Sequence, residues 1–344
     1  MKALLLTAPS RLEMVDHPTP VPAADEVQLR IRACGICGSD IHGWDGSSGR
    51  RQVPLIMGHE AAGEISQVGA AVTDWAVGDR VTFDSTVYCG TCPACRRGAV
   101  NLCTDRRVVG VSPGTYRQHG AFAEYLTVPA RILYRLPASL SFEQAAFAEP
   151  VSIAQHALTR ADISPTDSAV VIGSGMIGLL VIQSLRAAGV SRIIAVDREA
   201  TRLDHARALG ATETVEVTTG DPVATIHDYT DGHGADVVFE VVGIEPTVKL
   251  AIAAARLGGK VVLVGNLAPE VTFPLQHAVT RELTILGSCG SAGEYPASLE
   301  LIASGAIQVE PMISAVVPLA DGAAWFAKLS TPEGGAHLKV ILQP

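Results

Sequence analysis

The sequence predicts an α/β protein that combines an irregular β-rich domain with a doubly wound parallel sheet. Two observations lead to this fold class. The first 150 residues hold short runs of alternating polar and apolar residues separated by glycine and proline, as in half-buried strands joined by turns. The second half alternates buried strands with helical segments and has a glycine-rich turn after its first strand, as in βαβ units.

In the β-rich part, residues 26–32 form the clearest predicted strand, because polar and apolar side chains alternate along it. Met1–Leu6 is expected to be the first strand, and no long helical period appears before about Phe142. Further strands are predicted at 63–68, 79–83 and 122–128. Turn residues between the strands include Gly69, Gly78, Pro113 and Gly120.

The second half begins with a buried strand at 169–172, a helix at 177–188 and a strand at 193–197. The pattern continues with strands at 235–243, 260–265 and 283–288, a helix at 246–256, and later helices at 296–304 and 323–329. The chain closes with a strand at 337–342 that is expected to return to the first domain. The predicted domains are therefore 1–150 together with 291–344, and 151–290.

Composition excludes several classes of function. The 344 residues are 48% hydrophobic and 18% charged, so the chain can bury substantial cores. A net charge of −9 argues against nucleic acid or an anionic membrane as the main partner. The apolar run after Met1 is too short for a secretory signal, and none reaches the roughly 18 residues that span a bilayer. Seven cysteines, four of them clustered, indicate metal binding in a reducing compartment, so a cytoplasmic protein is expected.

Three residue types that bind metals lie close together in the first domain. Cys37 stands in C-G-I-C-G-S-D-I-H, residues 34–42, and His59 and Glu60 stand in G-H-E. Zinc accepts a thiolate, an imidazole and a carboxylate as ligands, and a catalytic zinc keeps one position open. Neighbouring residues on a strand point to opposite faces. The His59–Glu60 pair is therefore predicted at a turn or strand end, or with Glu60 outside the ligand set.

Four further cysteines fall within the short segment 89–103, and they are Cys89, Cys92, Cys95 and Cys103. Their spacing favours a closed tetrahedral zinc site that staples a loop without a core of its own. An iron–sulfur cluster fits less well, because the bacterial ferredoxin run has a shorter final gap followed by Cys-Pro. A zinc-ribbon binding module is disfavoured because the local arginines are a short charge run in an acidic protein. We predict a structural zinc that takes no part in chemistry.

A carboxylate stands at the predicted domain junction. Glu149 lies in F-A-E-P, within an otherwise apolar stretch, and Pro150 disfavours a helical conformation for Glu149. Taken alone, Glu149 is most simply a surface glutamate. The functional alternatives are a further oxygen ligand of the metal or a base that acts on metal-bound water.

The glycine-rich turn has the pattern of a dinucleotide site, because Gly173-x-Gly175-x-x-Gly178 follows a strand and opens a helix. Gly173 allows a tight turn, Gly175 lets backbone N–H groups approach the pyrophosphate, and Gly178 permits close packing of helix and strand. Asp197 ends the next strand, where it can bind both ribose hydroxyls and repel a 2′-phosphate. This favours NAD over NADP, although Arg198 or Arg202 could accept that phosphate. The cofactor-binding candidates are Gly173, Gly175, Met176, Ile177, Gly178, Asp197, Arg198 and Arg202.

In their order along the chain, these landmarks resemble those of the zinc-dependent medium-chain alcohol and polyol dehydrogenases, on the sorbitol and L-threonine dehydrogenase side. The resemblance covers essentially the whole chain and includes G-x-F-A-E-Y, residues 120–125. It implies a GroES-like catalytic domain, formed by 1–150 and 291–344, and a Rossmann NAD-binding domain, 151–290. It also implies a small-molecule alcohol substrate, two zinc ions per chain, and a homodimer or homotetramer.

The resemblance assigns roles around the metal. Cys37 and His59 match ligands of the catalytic zinc, and Glu60 matches a residue that ligates zinc in some members and flanks it in others. Glu149 stands where ethanol-type enzymes have a second cysteine ligand and where polyol- and threonine-type enzymes have an acid. Asp40 matches an acid that orients His59. The four clustered cysteines match the ligands of the structural zinc.

The implied reaction is zinc-assisted transfer of a hydride from a secondary alcohol, such as a polyol, sugar alcohol or sugar derivative, to NAD. Ser39 and His42 match a proton relay, with Glu149 as an alternative route through water. Sorbitol-type enzymes usually carry tyrosine after the relay histidine, and here that residue is Gly43. L-threonine and vicinal diols are the alternative substrates.

Two other classes of protein would share part of this pattern. A metal-free NADPH reductase of the same fold is disfavoured by the intact zinc ligands and by Asp197. A non-catalytic scaffold that binds zinc and nucleotide is disfavoured by the presence of Ser39 and His42.

Overall fold

The structure is a computed structural model that describes residues 1–111 and 118–344, so the predicted turn residue Pro113 lies outside the described residues. The chain forms two compact units. The first comprises Met1–Glu149, Ser291–Ser304 and Val309–Pro344, and the second comprises Pro150–Gly290 and Gly305–Gln308. Within the described ranges, no helix has the length and apolar character needed to cross a membrane.

The first part of the chain consists mainly of short strands. Its elements in order are β1 (Lys2–Ala8), β2 (Arg11–Asp16), β3 (Glu26–Gly35), α1 (Gly38–Trp44), β4 (Leu55–Ile56), β5 (Glu60–Val68), β6 (Arg80–Phe83), β7 (Thr86–Val87), α2 (Pro93–Arg96), β8 (Arg107–Val108), β9 (Tyr125–Pro129), β10 (Leu133–Arg135) and α3 (Phe142–Ala145).

Strands and helices then alternate, as predicted. The elements are α4 (Ala148–Ala161), β11 (Ser168–Ile172), α5 (Met176–Ala187), β12 (Arg192–Asp197), α6 (Ala200–Ala208), β13 (Glu213–Glu216), α7 (Pro222–Tyr229), β14 (Ala235–Glu240), α8 (Glu245–Ala254), β15 (Ala255–Leu263), α9 (Leu275–Thr280) and β16 (Thr284–Gly287). The closing elements are α10 (Tyr295–Ala303), β17 (Ile313–Pro318), α11 (Gly322–Leu329) and β18 (Lys339–Gln343).

The largest sheet of the first unit joins strands from the first 135 residues to the two closing strands. Its order is β10-β6-β5-β3-β18-β17, and β9 also pairs with β3. The closing strand β18 therefore returns to the first unit, as predicted, and pairs Leu342 with Cys34. On the other side of β3, Gly35 is paired with Glu60 at the start of β5. This pairing places the start of β5, the end of β3 and the start of β18 side by side.

The second unit contains a six-stranded parallel sheet with the order β13-β12-β11-β14-β15-β16. This is the strand order of a doubly wound nucleotide-binding fold. Successive strands are added on one side of β11 up to β13 and on its other side from β14 onwards, so the strand order reverses between β11 and β14. The central strands β11, β12 and β14 are almost entirely buried, as Val170, Ile194 and Val238 illustrate. Continuous apolar runs are expected where helices cover both faces of a parallel sheet. The predicted fold class is confirmed.

Residues 305–308 belong to the second unit, whereas the sequence placed them in the first domain. Two hydrogen bonds hold them there: the backbone N–H of Gln308 donates to Oε1 of Gln183 at 2.7 Å, and Nε2 of Gln183 donates to the carbonyl of Gln308 at 3.2 Å. A side chain that binds a distant backbone leaves no periodic signal in sequence.

The prediction of non-helical backbone at Glu149 is wrong, because Glu149 and Pro150 lie in the first turn of α4. The first N–H groups of a helix have no partner within the helix, so proline is tolerated there. The preference of a residue before proline for extended backbone is thus overridden by the start of a long helix.

Candidate active site

The turn before β5 and the start of α1 position Cys37 and His59. Cys37 is the N-cap residue of α1 and has extended backbone. His59 directly precedes β5 and Glu60 is its first residue, so the pair lies at a strand end, as predicted. Gly58 makes the turn with φ +94°, and a Cβ there would lie 2.8 Å from Cδ1 of Phe122 and 2.9 Å from Sγ of Cys34. Any side chain at position 58 would collide with Phe122 and Cys34, so only glycine fits there.

The structure brings together the thiol of Cys37, the imidazole of His59 and the carboxylate of Glu60. Their ligand atoms lie within 4.8 Å of one another. His59 and Glu60 are buried and Cys37 is half-buried. Soft sulfur, imidazole nitrogen and carboxylate oxygen form a donor set that suits zinc, and three protein ligands leave a position for substrate or water.

Asp40 connects two of these residues. Its Oδ2 accepts a hydrogen bond from the backbone N–H of Cys37 at 3.3 Å. Its Oδ1 lies 3.5 Å from Nδ1 of His59, and that nitrogen is buried without a hydrogen-bond partner. Burial favours the neutral form of each group, but the Asp40–His59 attraction outweighs it, so the pKa of His59 is raised and the pKa of Asp40 is lowered.

Lys339, which was not among the residues predicted for the site, lies beside Glu60 at the start of β18. Its Nζ donates to Oε2 of Glu60 and to the carbonyl of Ile36, the latter at 3.2 Å. The two side chains are only 3% and 1% exposed. Burial would lower the pKa of Lys339, but the charge of Glu60 raises it overall. The available signal was a lysine in the otherwise apolar closing run L-K-V-I-L.

Glu149 is not a solvated surface residue. Its side chain is half-buried, and burial raises its pKa to about 7, with the charges of Glu60 and Asp84 acting in the same direction. The charges of His59 and Lys339 oppose this shift. Within the described residues, Glu149 is not part of the group formed by Cys37, His59 and Glu60. The structure thus places it near the candidate ligands without including it in their group.

Ser39 and His42 both lie on α1, three residues apart, where side chains share one face of a helix. Ser39 is exposed and His42 is half-buried. Nδ1 of His42 lies 3.3 Å from Oγ of Ser47, a hydroxyl that the sequence analysis did not consider. The hydroxyl of Ser47 is therefore a further group beside the imidazole that could carry a proton.

The four-cysteine segment brings Cys89, Cys92, Cys95 and Cys103 together, with all Sγ atoms within 4.8 Å of one another. The Sγ–Sγ distances are 3.5 Å for Cys92–Cys95 and 4.0 Å for Cys89–Cys95. These are close to the edge of about 3.8 Å expected for a tetrahedron with Zn–S bonds of about 2.3 Å. The backbone N–H of Cys95 lowers the pKa of Cys92 to about 5, which favours its thiolate, whereas desolvation and the neighbouring thiols raise the pKa of Cys95 to about 12.

The glycine-rich turn lies between β11 and α5, at the point where the strand order of the parallel sheet reverses. Gly173 has φ +98°, and a Cβ at Gly178 would lie 1.8 Å from the carbonyl oxygen of Gly173. Gly175 is the N-cap of α5 and has open space where a Cβ would stand. Met176 and Ile177 form the first turn, so the free N–H groups of this helix end face a site that suits a pyrophosphate.

Asp197 fixes this turn as well as ending β12. Its Oδ2 accepts from the backbone N–H of Ser174 at 2.7 Å, and its Oδ1 accepts from those of Arg198 and Glu199 at 2.8 and 3.0 Å. Nη1 of Arg202 lies 3.9 Å from Oδ2, and Nε of Arg198 lies 3.1 Å from the Glu199 carboxylate. Both arginines are therefore directed at protein carboxylates.

Comparison with known proteins agrees with this architecture. Residues 23–138 match the alcohol dehydrogenase GroES-like domain, and residues 177–304 match the zinc-binding dehydrogenase domain. The chain is 36% identical over 333 residues to the probable D-xylulose reductase A of Emericella nidulans, covering 94% of this chain and 92% of that protein. The chain belongs to the zinc-dependent medium-chain alcohol and polyol dehydrogenases.

Two further relatives extend this comparison. Sorbitol dehydrogenase of Bacillus subtilis is 34% identical over 318 residues, covering 91% of this chain and 89% of that protein. The crystal structure described as a zinc-binding dehydrogenase of Sinorhizobium meliloti 1021 bound to NADP has a TM-score of 0.91 and 32% identity, covering 100% of this chain and 99% of that one. The chain is therefore an oxidoreductase of a family that uses zinc and a nicotinamide nucleotide.

Gly43 lies on α1 directly after His42, and Arg51 fills the space above it. A Cβ at Gly43 would lie 2.6 Å from Cγ, 2.9 Å from Nε and 3.2 Å from Cζ of Arg51. No sequence pattern links Arg51 to α1, so its place in the site could not be predicted.

Proposed function

We propose that this protein oxidises a secondary alcohol, such as a polyol, sugar alcohol or sugar derivative, by transferring a hydride to NAD. The observation that carries the proposal is the convergence of Cys37, His59 and Glu60 in a member of this family. The names of two relatives, a D-xylulose reductase and a sorbitol dehydrogenase, support the polyol class. In this proposal the first unit is catalytic and the second binds the nucleotide.

Cys37, His59 and Glu60 would hold the catalytic zinc, and Asp40 would orient His59. When bound, the metal supplies a Lewis acid that lowers the pKa of a coordinated hydroxyl. Ser39 and His42 would carry the released proton towards solvent, and Glu149 would hold a proton through water. The substrate carbon would then give its hydride to the nicotinamide, whose pyrophosphate would be held by the N-terminus of α5.

Asp197 supports NAD as the preferred nucleotide, because a buried carboxylate would repel a 2′-phosphate. The ion pairs of Arg198 and Arg202 support the same preference, since both guanidinium groups lie against carboxylates. One structural neighbour has NADP bound, so both nucleotides are included in the experiment. A structural zinc held by Cys89, Cys92, Cys95 and Cys103, a homodimeric or homotetrameric state and a cytoplasmic location complete the proposal.

The decisive experiment is NADH formation followed by absorbance over a panel of polyols, sugars, diols and L-threonine, with NAD and with NADP. Activity with NAD that is lost on chelation and restored by zinc would support the proposal. The matched variants are Cys37→Ser, which should abolish activity, and Cys289→Ser, which changes a cysteine outside both clusters and should not. Activity that survives chelation and prefers NADP would overturn both the metal assignment and the role of Asp197.

A further inference from the structure

Arg51 is a buried cation next to the candidate metal ligands. Its side chain is only 3% exposed, although the residue lies in a polar segment beside the exposed Arg50. Its Nη2 donates to the carbonyl of Ser39 and to Oδ1 of Asp40, both at 3.3 Å. Burying a guanidinium is costly unless a charge partner and hydrogen bonds compensate for it.

The partner of Arg51 is the residue that connects the metal ligands. Asp40 is fully buried, binds the backbone N–H of Cys37 through Oδ2, and faces Nδ1 of His59 through Oδ1. Arg51 binds the same Oδ1. If this carboxylate rotated, it would lose its hydrogen bond to the backbone of Cys37 and its contact with Nδ1 of His59. The His59 ring would then no longer be held in the orientation in which its other nitrogen binds the metal.

We propose that Arg51 is a positioning residue of the catalytic centre, which locks the Asp40 carboxylate so that Cys37 and His59 are held in the geometry that zinc requires. Gly43 is the second part of this device, because its missing side chain provides the space in which the guanidinium stem lies. The inference rests on the proposed function, since it assumes that Cys37 and His59 bind zinc.

Gly43→Ala tests the position of Arg51 without removing any of its polar groups. Gly43 lies within α1 and has no left-handed backbone, so alanine there would be favoured by helix propensity alone. The proposal predicts the opposite outcome for metal binding. A methyl group at 43 would collide with Cγ, Nε and Cζ of Arg51 and displace it from Asp40, without changing a single charge.

The test measures zinc affinity of the full-length protein by competition with a chromophoric chelator, together with the visible spectrum of the protein with cobalt at the catalytic site. The four-cysteine site serves as the internal reference. Arg51→Met and Gly43→Ala should each weaken the catalytic zinc about 10- to 100-fold, the range typical for residues that orient metal ligands, and should alter the cobalt spectrum. Arg51→Lys keeps the charge but loses the planar guanidinium, so its zinc affinity should lie between the affinities of these two variants and that of wild type.

Two further variants separate this role from general destabilisation. In an Arg51→Ala background the space above Gly43 is empty, so adding Gly43→Ala should have no further effect on zinc affinity. The control Arg50→Met removes the exposed neighbouring charge and should leave affinity and spectrum unchanged.

Wild-type affinity and an unchanged spectrum in Arg51→Met, or an undiminished effect of Gly43→Ala in the Arg51→Ala background, would overturn the inference. Failure of the wild-type protein to bind a second zinc would instead overturn the proposed function. Thermal unfolding identifies any variant that does not fold, and Arg51→Lys then provides the test.

Discussion

Removing Lys339 should destabilise the first unit strongly, because its partner Glu60 would be left as a buried, uncompensated charge. The two side chains are 3% and 1% exposed, so solvent cannot replace the lost partner. Breaking a buried ion pair by removing one member costs about 3–5 kcal/mol, whereas removing both charges is often close to neutral. Lys339→Met should therefore lower the free energy of unfolding by about 3–5 kcal/mol, and Lys339→Met with Glu60→Gln should recover most of that loss.

The assay is urea unfolding followed by tryptophan fluorescence. Trp44, Trp75 and Trp325 are the three tryptophans of the sequence, and all lie in the first unit, so the signal reports that unit alone. For a urea dependence of about 3 kcal/mol/M, the expected loss corresponds to a decrease of about 1–2 M in the midpoint. All variants are measured in the presence of a chelator, because bound zinc would add its own stabilisation.

Lys2→Met is the matched control, since it makes the same substitution in an exposed ion pair. Lys2 and Asp16 lie 2.9 Å apart with side chains 59% and 81% exposed, and such pairs contribute less than about 1 kcal/mol. If Lys339→Met destabilised the protein no more than Lys2→Met, the reasoning from burial would be refuted. It would also be refuted if adding Glu60→Gln to Lys339→Met lowered the free energy of unfolding further.

Three further predictions follow from the structure. Burial raises the pKa of Asp84 from 3.8 to about 6, so the folded state binds this proton more tightly than the unfolded state and loses stability as the pH rises from about 4 to 6. Asp84→Asn should remove about 2–3 kcal/mol of that loss, measured by urea unfolding at several pH values across this range. The same dependence of the free energy of unfolding on pH in Asp84→Asn and wild type would contradict this prediction. Gly178→Ala should weaken NADH binding at least about tenfold, because its Cβ would lie 1.8 Å from the Gly173 carbonyl, while Gly287→Ala has open space and should bind NADH normally in a fluorescence titration. Cys92→Ser should lower the zinc content by about one equivalent and leave NADH binding intact, so an unchanged zinc content would exclude the four-cysteine site.

Elements with a strong period could be predicted from the sequence. The central strands β11, β12 and β14 contain continuous apolar runs, and the turn at Gly173 has a fixed spacing that follows from contact with phosphate. Such signals are local, because each depends on residues that are neighbours along the chain. The short helix α1 lacked such a signal, since its seven residues include Gly38 and Gly43.

The candidate site was predictable only in part for the same reason. Cys37, His59 and the four clustered cysteines stand in short motifs, whereas Lys339 reaches Glu60 across 279 positions and Arg51 reaches Asp40 across a segment without periodicity. Their roles depend on burial and pairing in three dimensions. Glu149 illustrates a different limit, because its residue type favours a surface position and only the family resemblance points to the metal site. Its burial and the nearby charges are visible in three dimensions alone.

The position of β18 constrains how this protein can be made. Because β18 lies between β3 and β17, the largest sheet of the first unit remains open until β18 has left the ribosome. The parallel sheet is complete at Gly287, so the nucleotide unit can fold while the rest is still being synthesised. The metal centre would then be assembled last, when Lys339 arrives to neutralise Glu60. Synthesis that stops before β18 would yield a chain with a nucleotide unit and an unfinished catalytic unit, a natural target for proteolysis.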